Sequence, residues 1–495
     1  MKSILKKSSF FIISAVLAFT ACTDKSDIYT IIAGSNSEAM GTVTGDGNFH
    51  EGDVATLVAT PNSGYHFAFW ADGKRKNPRT ITVSKNMVLM AIFGIGERPN
   101  NGGGDDDDED IVNPDSLAIS LSGTISDNIT LEDRGLDVDY IVYDRLTIGG
   151  NATVSIESGV TIRFESLMGK ITVADNATLN IAGTASKPVV FVGKTDDTDT
   201  GWHGIELNTT STNSYWEHAT LKNGNSGCLV SVRKGSLSMK SCIIDHVAGN
   251  GLDVWEEGCM TKIEDCIFKN CEQAPILFES NLNLNALGDK NDFFTNGENY
   301  IWCRNKDFGD GEYVIRKMAV PYMFSEGIDA GGKAKITIEP GVKILMGLDT
   351  KAVIGKDVLF KAVGTSSEPI SFQGDNDVAG HWDVLKVETA DKNSIMEHCF
   401  ITGAGMEPPG YDCALFIGEK CAMTMKNCSF TKVGSDYGAV VYSAENFAKN
   451  FKFENVTFKD ADYKNASEVN VIVGYGIVEG GSIFDSLEYL ADMLK

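Results

Sequence analysis

The chain is poor in basic residues, and this shortage excludes one large class of partner. It carries 43 Lys and Arg against 68 Asp and Glu, a formal net charge of −25 at pH 7. Nucleic acid is excluded because its phosphates require a basic footprint on the protein. A polyanionic substrate is disfavoured for the same reason, unless calcium bridges the two negative surfaces.

The sequence also lacks the usual patterns for zinc binding and thiol redox chemistry. No C-x-x-C pair occurs, and no His/Cys cluster has zinc-ligand spacing. The sequence therefore predicts no metal site and no cofactor, with calcium as the alternative. The ten cysteines after Cys22 would by default form disulfides in an exported protein. Four of them occupy or adjoin one slot of a repeated motif, which favours stacked, buried thiols: Cys242, Cys266, Cys399 and Cys428. The better candidates for any bridge are Cys259, Cys271, Cys303 and Cys421.

A long internal repeat is the main feature that the sequence does contain. The stretch from Ala152 to Phe191 occurs again from Ala334 to Phe372 with almost no gaps. Apolar and polar residues alternate at period two within each copy, which predicts short β-strands. A finer repeat of 23 to 24 residues, as in WEHATL, MKSCII and IEDCIF, is the length of one coil of a parallel β-helix. We therefore predict an all-β fold in which successive coils stack their inward side chains into ladders.

These repeats resemble the right-handed parallel β-helix family with the pectin-lyase-like fold. The GTxxxP(I/V)xF stretch followed by Trp is similar to that of large bacterial surface β-helix proteins. The resemblance implies a large solenoid over residues 116–484. Its two halves, about 116–310 and 311–484, form either one continuous β-helix or two short ones. Enzymes of this fold act on acidic polysaccharides through carboxylates and a Lys or Arg. Ile244-Asp245-His246 resembles the IDH of pectate lyases, but the rest of that pattern is missing, and no catalytic residue is predicted.

The first residues resemble a bacterial export signal that ends in a lipobox. A basic start precedes an apolar run over 1–21, and Phe19-Thr20-Ala21-Cys22 indicates acylation at Cys22, followed by a lipidated tether over 22–28. Phe19 stands where Leu is usual, so cleavage by an ordinary signal peptidase is the alternative. The polar tail that follows is similar to lipoproteins of Bacteroides-like bacteria. We expect an outer-membrane lipoprotein, exposed on the cell surface and held by its acyl chains.

Residues 29–94 form a small unit that is similar to bacterial repeat modules related to listerial B-repeats. The GTV at Gly41, the TP-x-x-GY step at Thr60 and Trp70 carry the resemblance, which implies a β-rich spacer or stalk. Its aromatic residues are predicted to pack the core, with a sugar platform as the alternative. An acidic Gly/Asp linker over 95–115 is expected to be flexible, with calcium binding by its acids as the alternative.

Several repeated residues are predicted to be structural, whereas three tryptophans without a counterpart in the other half, together with Tyr300, are candidates for binding. His218 and His398 occupy equivalent positions, as do Trp202 and Trp382, which favours turn and coil-edge roles over catalysis or sugar stacking. The predicted ligand-binding residues are Trp216, Trp255, Tyr300 and Trp302.

Because no acid, base and cation converge in the sequence, we expect a non-catalytic, adhesin-like surface protein that binds glycans or cell-envelope or host partners. The alternatives are a β-helix polysaccharide lyase or glycoside hydrolase, marked by carboxylates and a cation gathered in one groove, and a purely architectural envelope protein. A short helix over 485–495 is predicted to cap the last coil.

Overall fold

The computed structural model describes residues 28–70, 74–96, 118–195, 201–406, 413–418, 421–434, 440–442 and 451–458. The described chain is nearly all β-structure: a parallel β-solenoid of about 12 turns preceded by a β-rich N-terminal module. The predicted fold class is therefore confirmed. Within the described ranges, no helix is long and apolar enough to cross a membrane.

Two facing sheets form the N-terminal module. Its strands are β1 (Ile28–Ser35), β2 (Gly41–Thr44), β3 (Gly47–His50), β4 (Val54–Pro61), β5 (Tyr65–Trp70), β6 (Arg79–Thr82) and β7 (Met87–Gly96). One sheet joins β3, β1, β7 and β5, and the other joins β2, β4 and β6. Phe67, Trp70 and Phe93 lie buried between them, which supports core packing of these aromatic residues.

The module is docked on the first coil of the solenoid, which begins with β8 (Ile119–Ile125), β9 (Ile129–Leu131) and β10 (Tyr140–Ile148). Strand β7 pairs in parallel with β8, so that Ile95 lies opposite Leu121 and Gly96 opposite Ser122. The side chain of Ile95 belongs to the solenoid core. The module thus covers the open end of that core, where an uncovered coil would present an unpaired edge. The predicted flexible linker lies mostly outside the described residues.

Parallel strand ladders run along the solenoid. The first ladder contains β12 (Thr161–Phe164), β15 (Val189–Gly193), β18 (Ala219–Gly224), β20 (Ile243–Val247), β22 (Ile267–Cys271) and β24 (Asp292–Phe294). The second contains β13 (Lys170–Asp175), β16 (Ile205–Thr209), the start of β19 (Cys228–Lys240) and of β21 (Asn250–Glu264), β23 (Ile276–Phe278), β25 (Ile301–Cys303), β28 (Tyr322–Phe324), β31 (Lys343–Met346), β34 (Ile370–Gly374), β37 (Cys399–Thr402), β40 (Ser429–Thr431) and β43 (Thr457–Phe458).

Two further ladders are present, and the fourth begins only after the first has ended. The third contains β11 (Thr153–Glu157), β14 (Thr178–Ala182), β17 (Ser214–Glu217), the ends of β19 and β21, the 3₁₀ helix Asn281–Ala286, β27 (Gly311–Ile315), β30 (Ala334–Ile338), β33 (Leu359–Val363), β36 (Ser394–Glu397), β39 (Met423–Lys426) and β42 (Lys452–Glu454). The fourth contains β26 (Asp307–Phe308), β29 (Ile328–Ala330), β32 (Lys351–Ile354), β35 (Val384–Val387), β38 (Leu415–Ile417) and β41 (Val440–Tyr442).

The two homologous halves form one continuous solenoid, but some equivalent strands lie in different ladders. Tyr140 and Tyr322 are equivalent in the sequence, and each pairs with the strand one coil further on, at Ile162 and Ile344. Tyr140 leads into the first ladder, whereas Tyr322 stacks on Ile301 within the second ladder. The strands that correspond to the first ladder therefore continue the second ladder in the second half, while equivalent strands such as β14 and β33 both lie in the third ladder.

The repeated histidines are turn residues, as predicted. His218 and His398 have φ of 49° and 50°, in the left-handed region that short polar side chains tolerate best. Equivalent positions one coil later also have positive φ, at Ser241 and Asn427. The backbone N–H groups of His218 and His398 donate to the carbonyls of Lys240 and Lys426, both at 3.0 Å.

Trp202 and Trp382 are buried core residues, so a sugar-stacking role for them is excluded. The Trp202 ring stacks on Phe164 with centroids 3.8 Å apart and an interplanar angle of 11°. Each indole N–H donates to a backbone carbonyl, that of Lys222 at 2.9 Å and that of Thr402 at 2.8 Å.

The ten cysteines between 228 and 428 are all free thiols in the described chain. The predicted ladders are present, since Cys242 and Cys266 interact in one half and Cys399 and Cys428 in the other. Among the residues proposed for bridges, Cys303 is fully buried, and burial raises the pKa of its thiol. Cys259 is exposed, so it is the accessible thiol of this group.

Candidate functional site

One outward row of the second ladder brings together residues that are far apart in the sequence. Glu206 pairs with Ser231, Ser231 with Asp253, Asp253 with Leu277, Leu277 with Trp302, and Trp302 with Met323. The alternate residues Val230, Leu252 and Ile276 point into the core, so this row faces away from it. We call this surface, together with the neighbouring row that contains Trp255, Glu279 and Arg304, the tryptophan face.

The floor of this face is apolar. Leu277 and Met323 point outward, yet only 5% and 6% of their surfaces are exposed. Trp302 lies between them in the row and is half-buried. Its indole N–H donates to Ser325 Oγ at 2.8 Å, which fixes the orientation of the ring. Tyr300 stands edge-on to Trp302, with ring centroids 6.3 Å apart at 87°.

A chain of charged groups surrounds Trp255. The Arg233 guanidinium lies over the Trp255 ring, 4.3 Å from its centroid, in cation–π geometry. Arg233 Nε also donates to Glu206 Oε2 at 2.7 Å, and Lys170 Nζ reaches the same oxygen at 3.0 Å. Burial alone would raise the pKa of Glu206, but the hydrogen bonds from Lys170 and Arg233 outweigh it and lower that pKa. Glu206 is therefore ionised and holds Arg233 against the indole.

A second ion pair lies beside Trp302. Arg304 Nη1 approaches Glu279 Oε1 at 3.2 Å, and its guanidinium is 5.5 Å from the centre of the Trp302 ring. The backbone N–H groups of Glu279 and Arg304 bond to Val254 and Phe278, which places both residues in one row with Trp255. Aromatic rings thus alternate with guanidinium–carboxylate pairs along successive coils.

A concave pocket of about 570 Å³ opens on this face, a volume typical of small-ligand sites. Its lining contains one indole, basic groups and carboxylates: Asn208, Arg233, Lys234, Trp255, Glu256, Glu257 and Glu279. Trp255 has 39% of its surface exposed, so a ligand can reach its ring.

Asp253 carries a perturbed carboxyl next to this pocket. Burial raises its pKa to about 6, while hydrogen bonds from Asn250 and Cys228 oppose the rise. Glu279 raises the pKa further through its charge, and Arg304 lowers it. Among the described residues, Asp253 Oδ1 has no hydrogen-bond partner. The carboxyl can therefore hold a proton at a pH closer to neutral than an ordinary aspartic acid does.

Two family models match parts of the chain. Residues 32–96 match the divergent InlB B-repeat domain, and residues 123–226 match the pectate-lyase-like beta helix domain. Each match spans less than half of the chain and supports the fold of the segment it covers. No curated protein and no solved structure matches the chain significantly.

The β-helix places three of the four predicted binding residues on one face and removes the fourth. Trp255, Tyr300 and Trp302 lie on the tryptophan face, whereas Trp216 is only 1% exposed and its indole N–H donates to the carbonyl of Leu179. The prediction for Trp216 is wrong because it points inward in β17, and its outward neighbour Tyr215 is 45% exposed.

Sequence reasoning missed the polar residues of the site: Glu206, Arg233, Asp253, Glu279 and Arg304. The coil period could have identified them, because each lies at an outward position of the coil, one or more coils from a tryptophan of the same face. Such a signal can be used only after the strand register is known.

The Asp245-His246 pair lies in a ladder of turn residues. Asp245 Oδ1 accepts from Asn270 Nδ2 at 2.8 Å and lies 2.6 Å from His246 Nδ1. Burial alone would raise the pKa of Asp245, but hydrogen bonds from Asn270 and Lys269 lower it overall. His246 has a φ of 53°, as a turn residue does. Across the described ranges, no group of three or more His, Cys, Asp or Glu side chains could hold a metal ion.

Proposed function

We propose that this protein binds a glycan along the tryptophan face of its β-helix. The observation that carries the proposal is the placement of Trp255 and Trp302 on the same face, two coils apart, with Tyr300 beside them. Two coil steps correspond to about 10 Å, because neighbouring strands lie about 4.8 Å apart. This spacing suits stacking of an extended sugar chain on both indoles.

The charges of the face favour a glycan rich in hydroxyl groups over a polyanion. Arg233 and Arg304 are each paired with a carboxylate, Glu206 and Glu279, so neither is a free anion receptor. Guanidinium donors and carboxylate acceptors held side by side can bond to neighbouring hydroxyls of a sugar. The negative net charge of the chain further opposes binding of an acidic polymer.

A second candidate function, glycoside hydrolysis, is favoured by Asp253. Its raised pKa suits a general acid, and Glu279 and Arg304 lie close enough to affect that pKa. In this alternative, Asp253 would protonate the leaving oxygen and Glu279 would act as the second carboxylate. Binding without cleavage remains our proposal because Glu279 is held in an ion pair with Arg304.

We further propose that the protein is an acylated lipoprotein, anchored through Cys22 and displayed on the surface of the outer membrane. This part of the proposal rests on the lipobox-like sequence Phe19-Thr20-Ala21-Cys22. The Bacteroides-type origin and the exact domain boundaries also stay predictions.

A glycan-array and polysaccharide-digestion screen on residues 26–495 tests this function. Binding that weakens roughly tenfold in Trp255→Ala and Trp302→Ala, a loss of about 1.4 kcal/mol each, would support the proposal. Tyr215→Ala is the matched control, because it removes an exposed aromatic ring from a different side of the coil.

Product analysis in the same screen separates the alternatives. If the unmodified protein releases oligosaccharides and Asp253→Asn does not, the function is hydrolysis rather than binding alone. Unsaturated product ends would indicate a lyase. Binding that is unaffected by either tryptophan variant would exclude this face. No binding to any glycan would favour the architectural role.

A further inference from the structure

The N-terminal module exposes an apolar patch on one face of its larger sheet. Ile28, Ile32, Val88 and Met90 have 60%, 45%, 74% and 40% of their surfaces exposed. Scattered single apolar residues are normal on protein surfaces, but contiguous patches mark contacts. We call these four residues the β1–β7 patch.

Strand register shows that Ile32, Val88 and Met90 adjoin one another, while Thr30 stands between Ile28 and Ile32 on the same face. Strands β1 and β7 pair in parallel, with Ile32 opposite Val88 and Gly34 opposite Met90. The alternate residues Ile31 and Leu89 point into the module core. The patch therefore lies on the outer side of the sheet, away from the second sheet with β4.

Sequence position places this patch next to the predicted anchor. Five residues separate Cys22 from Ile28, so the start of β1 can lie at most about 20 Å from the acylated residue, at about 3.5 Å per extended residue. An acyl chain at Cys22 would hold the module at the membrane surface.

The charge of the module suits this location. Residues 28–96 contain five basic and five acidic residues, whereas the whole chain has a net charge of −25. The module therefore avoids the electrostatic repulsion that the rest of the chain would experience at an anionic lipid surface.

We propose that the β1–β7 patch rests on the lipid surface and serves as a second, non-covalent membrane contact beside the acyl anchor. The inference rests on the acylation of Cys22 proposed above. Membrane contact that combines acyl chains with apolar protein surface is firmer than one chain alone. A second copy of the chain is a poorer occupant, because four side chains fall far short of the 20 to 30 residues per partner in a typical stable interface.

Photolabelling of the acylated full chain in vesicles tests this contact. The vesicles contain phosphatidylethanolamine, phosphatidylglycerol and a photoactivatable phospholipid, and the labelled peptides are located by mass spectrometry. We expect label on β1 and β7, reduced about tenfold or more in Val88→Glu/Met90→Glu, because ionised carboxylates resist transfer into lipid. Val54→Glu is the matched control, since Val54 is 59% exposed on the other sheet.

The outcomes separate this inference from the anchor on which it rests. An acylated chain whose β1 and β7 remain unlabelled, or whose label does not respond to the double variant, would overturn the membrane contact alone. Self-association of the chain that is lost in the double variant would also overturn it. The mass of the residue 22 adduct tests the anchor separately, and an unmodified Cys22 would overturn both. Val88→Thr/Met90→Thr, which keeps good strand formers, guards against loss of folding as the cause.

Discussion

Gly96→Ala should loosen the contact between the N-terminal module and the solenoid. Gly96 has a φ of +86°, and a Cβ atom there would lie 1.9 Å from the carbonyl oxygen of Ser122 in β8. The left-handed conformation costs an alanine about 1–2 kcal/mol. The clash with β8 should raise the cost of the substitution by about a further 1–3 kcal/mol, as overpacking usually does.

Gly52→Ala separates these two costs. Gly52 has nearly the same φ, +88°, but a Cβ atom there would have no neighbour within 4 Å. This variant should therefore lose only the conformational part, about 1–2 kcal/mol. The difference between the two variants measures the contact with the solenoid.

Hydrogen exchange of the β8 amides is the appropriate assay, because it reports local opening in a protein whose global unfolding need not be two-state. A difference of about 1–3 kcal/mol corresponds to exchange roughly 5- to 150-fold faster in Gly96→Ala, with β8 unchanged in Gly52→Ala. Equal exchange of β8 in the two variants would show that β7 does not dock on β8, and the interpretation of the module as a cap would be refuted.

Three further predictions follow from the core and the site. Since Asp253 has its pKa raised from 3.8 to about 6, its contribution to stability is complete below pH 4 and should fall by about 3 kcal/mol as the pH rises through 6. Urea unfolding of Asp253→Asn should lack this part of the pH dependence, and parallel curves for the two proteins would contradict the assignment. Trp202→Phe should cost about 2–4 kcal/mol, because it removes the hydrogen bond from the indole to the partly buried carbonyl of Lys222 and weakens the stack on Phe164. Exposed Trp255→Phe should change the unfolding midpoint little, and equal effects would argue against the buried geometry. Thiol titration of residues 26–495 should find Cys259 as the fast-reacting cysteine, because it is exposed, whereas Cys228 is partly buried and the other eight cysteines are buried; rapid reaction of Cys303 would contradict its burial.

The repeats predict the fold because a coil of 23 to 24 residues leaves few ways to bury its apolar side chains. They also predict the turn role of His218 and His398, since both halves repeat the pattern. The tryptophan face could be predicted only in part. Alternate residues of a strand point inward and outward, so the direction of a tryptophan side chain depends on its position in the strand. Trp216 points inward, whereas a residue one position earlier in β17 points outward.

The polar residues of the site could not be predicted from the sequence, because their contacts depend on strand register. Arg233 and Glu206 are 27 residues apart, and their contact depends on the bulge in register between β16 and β19. Docking of β7 on β8 is equally invisible in the sequence, because the linker composition suggests independence of the two units.

The shift of ladder between the two halves means that internal duplication did not produce duplicated surfaces along the second ladder. A ligand that lies along the second ladder first meets one side of the ancestral repeat and then, beyond Tyr322, a different side. Substitutions in one half are therefore free to shape a binding surface without a matching copy on the same side of the molecule. Such a duplication creates asymmetry, and a single recognition surface can evolve on an otherwise repetitive scaffold.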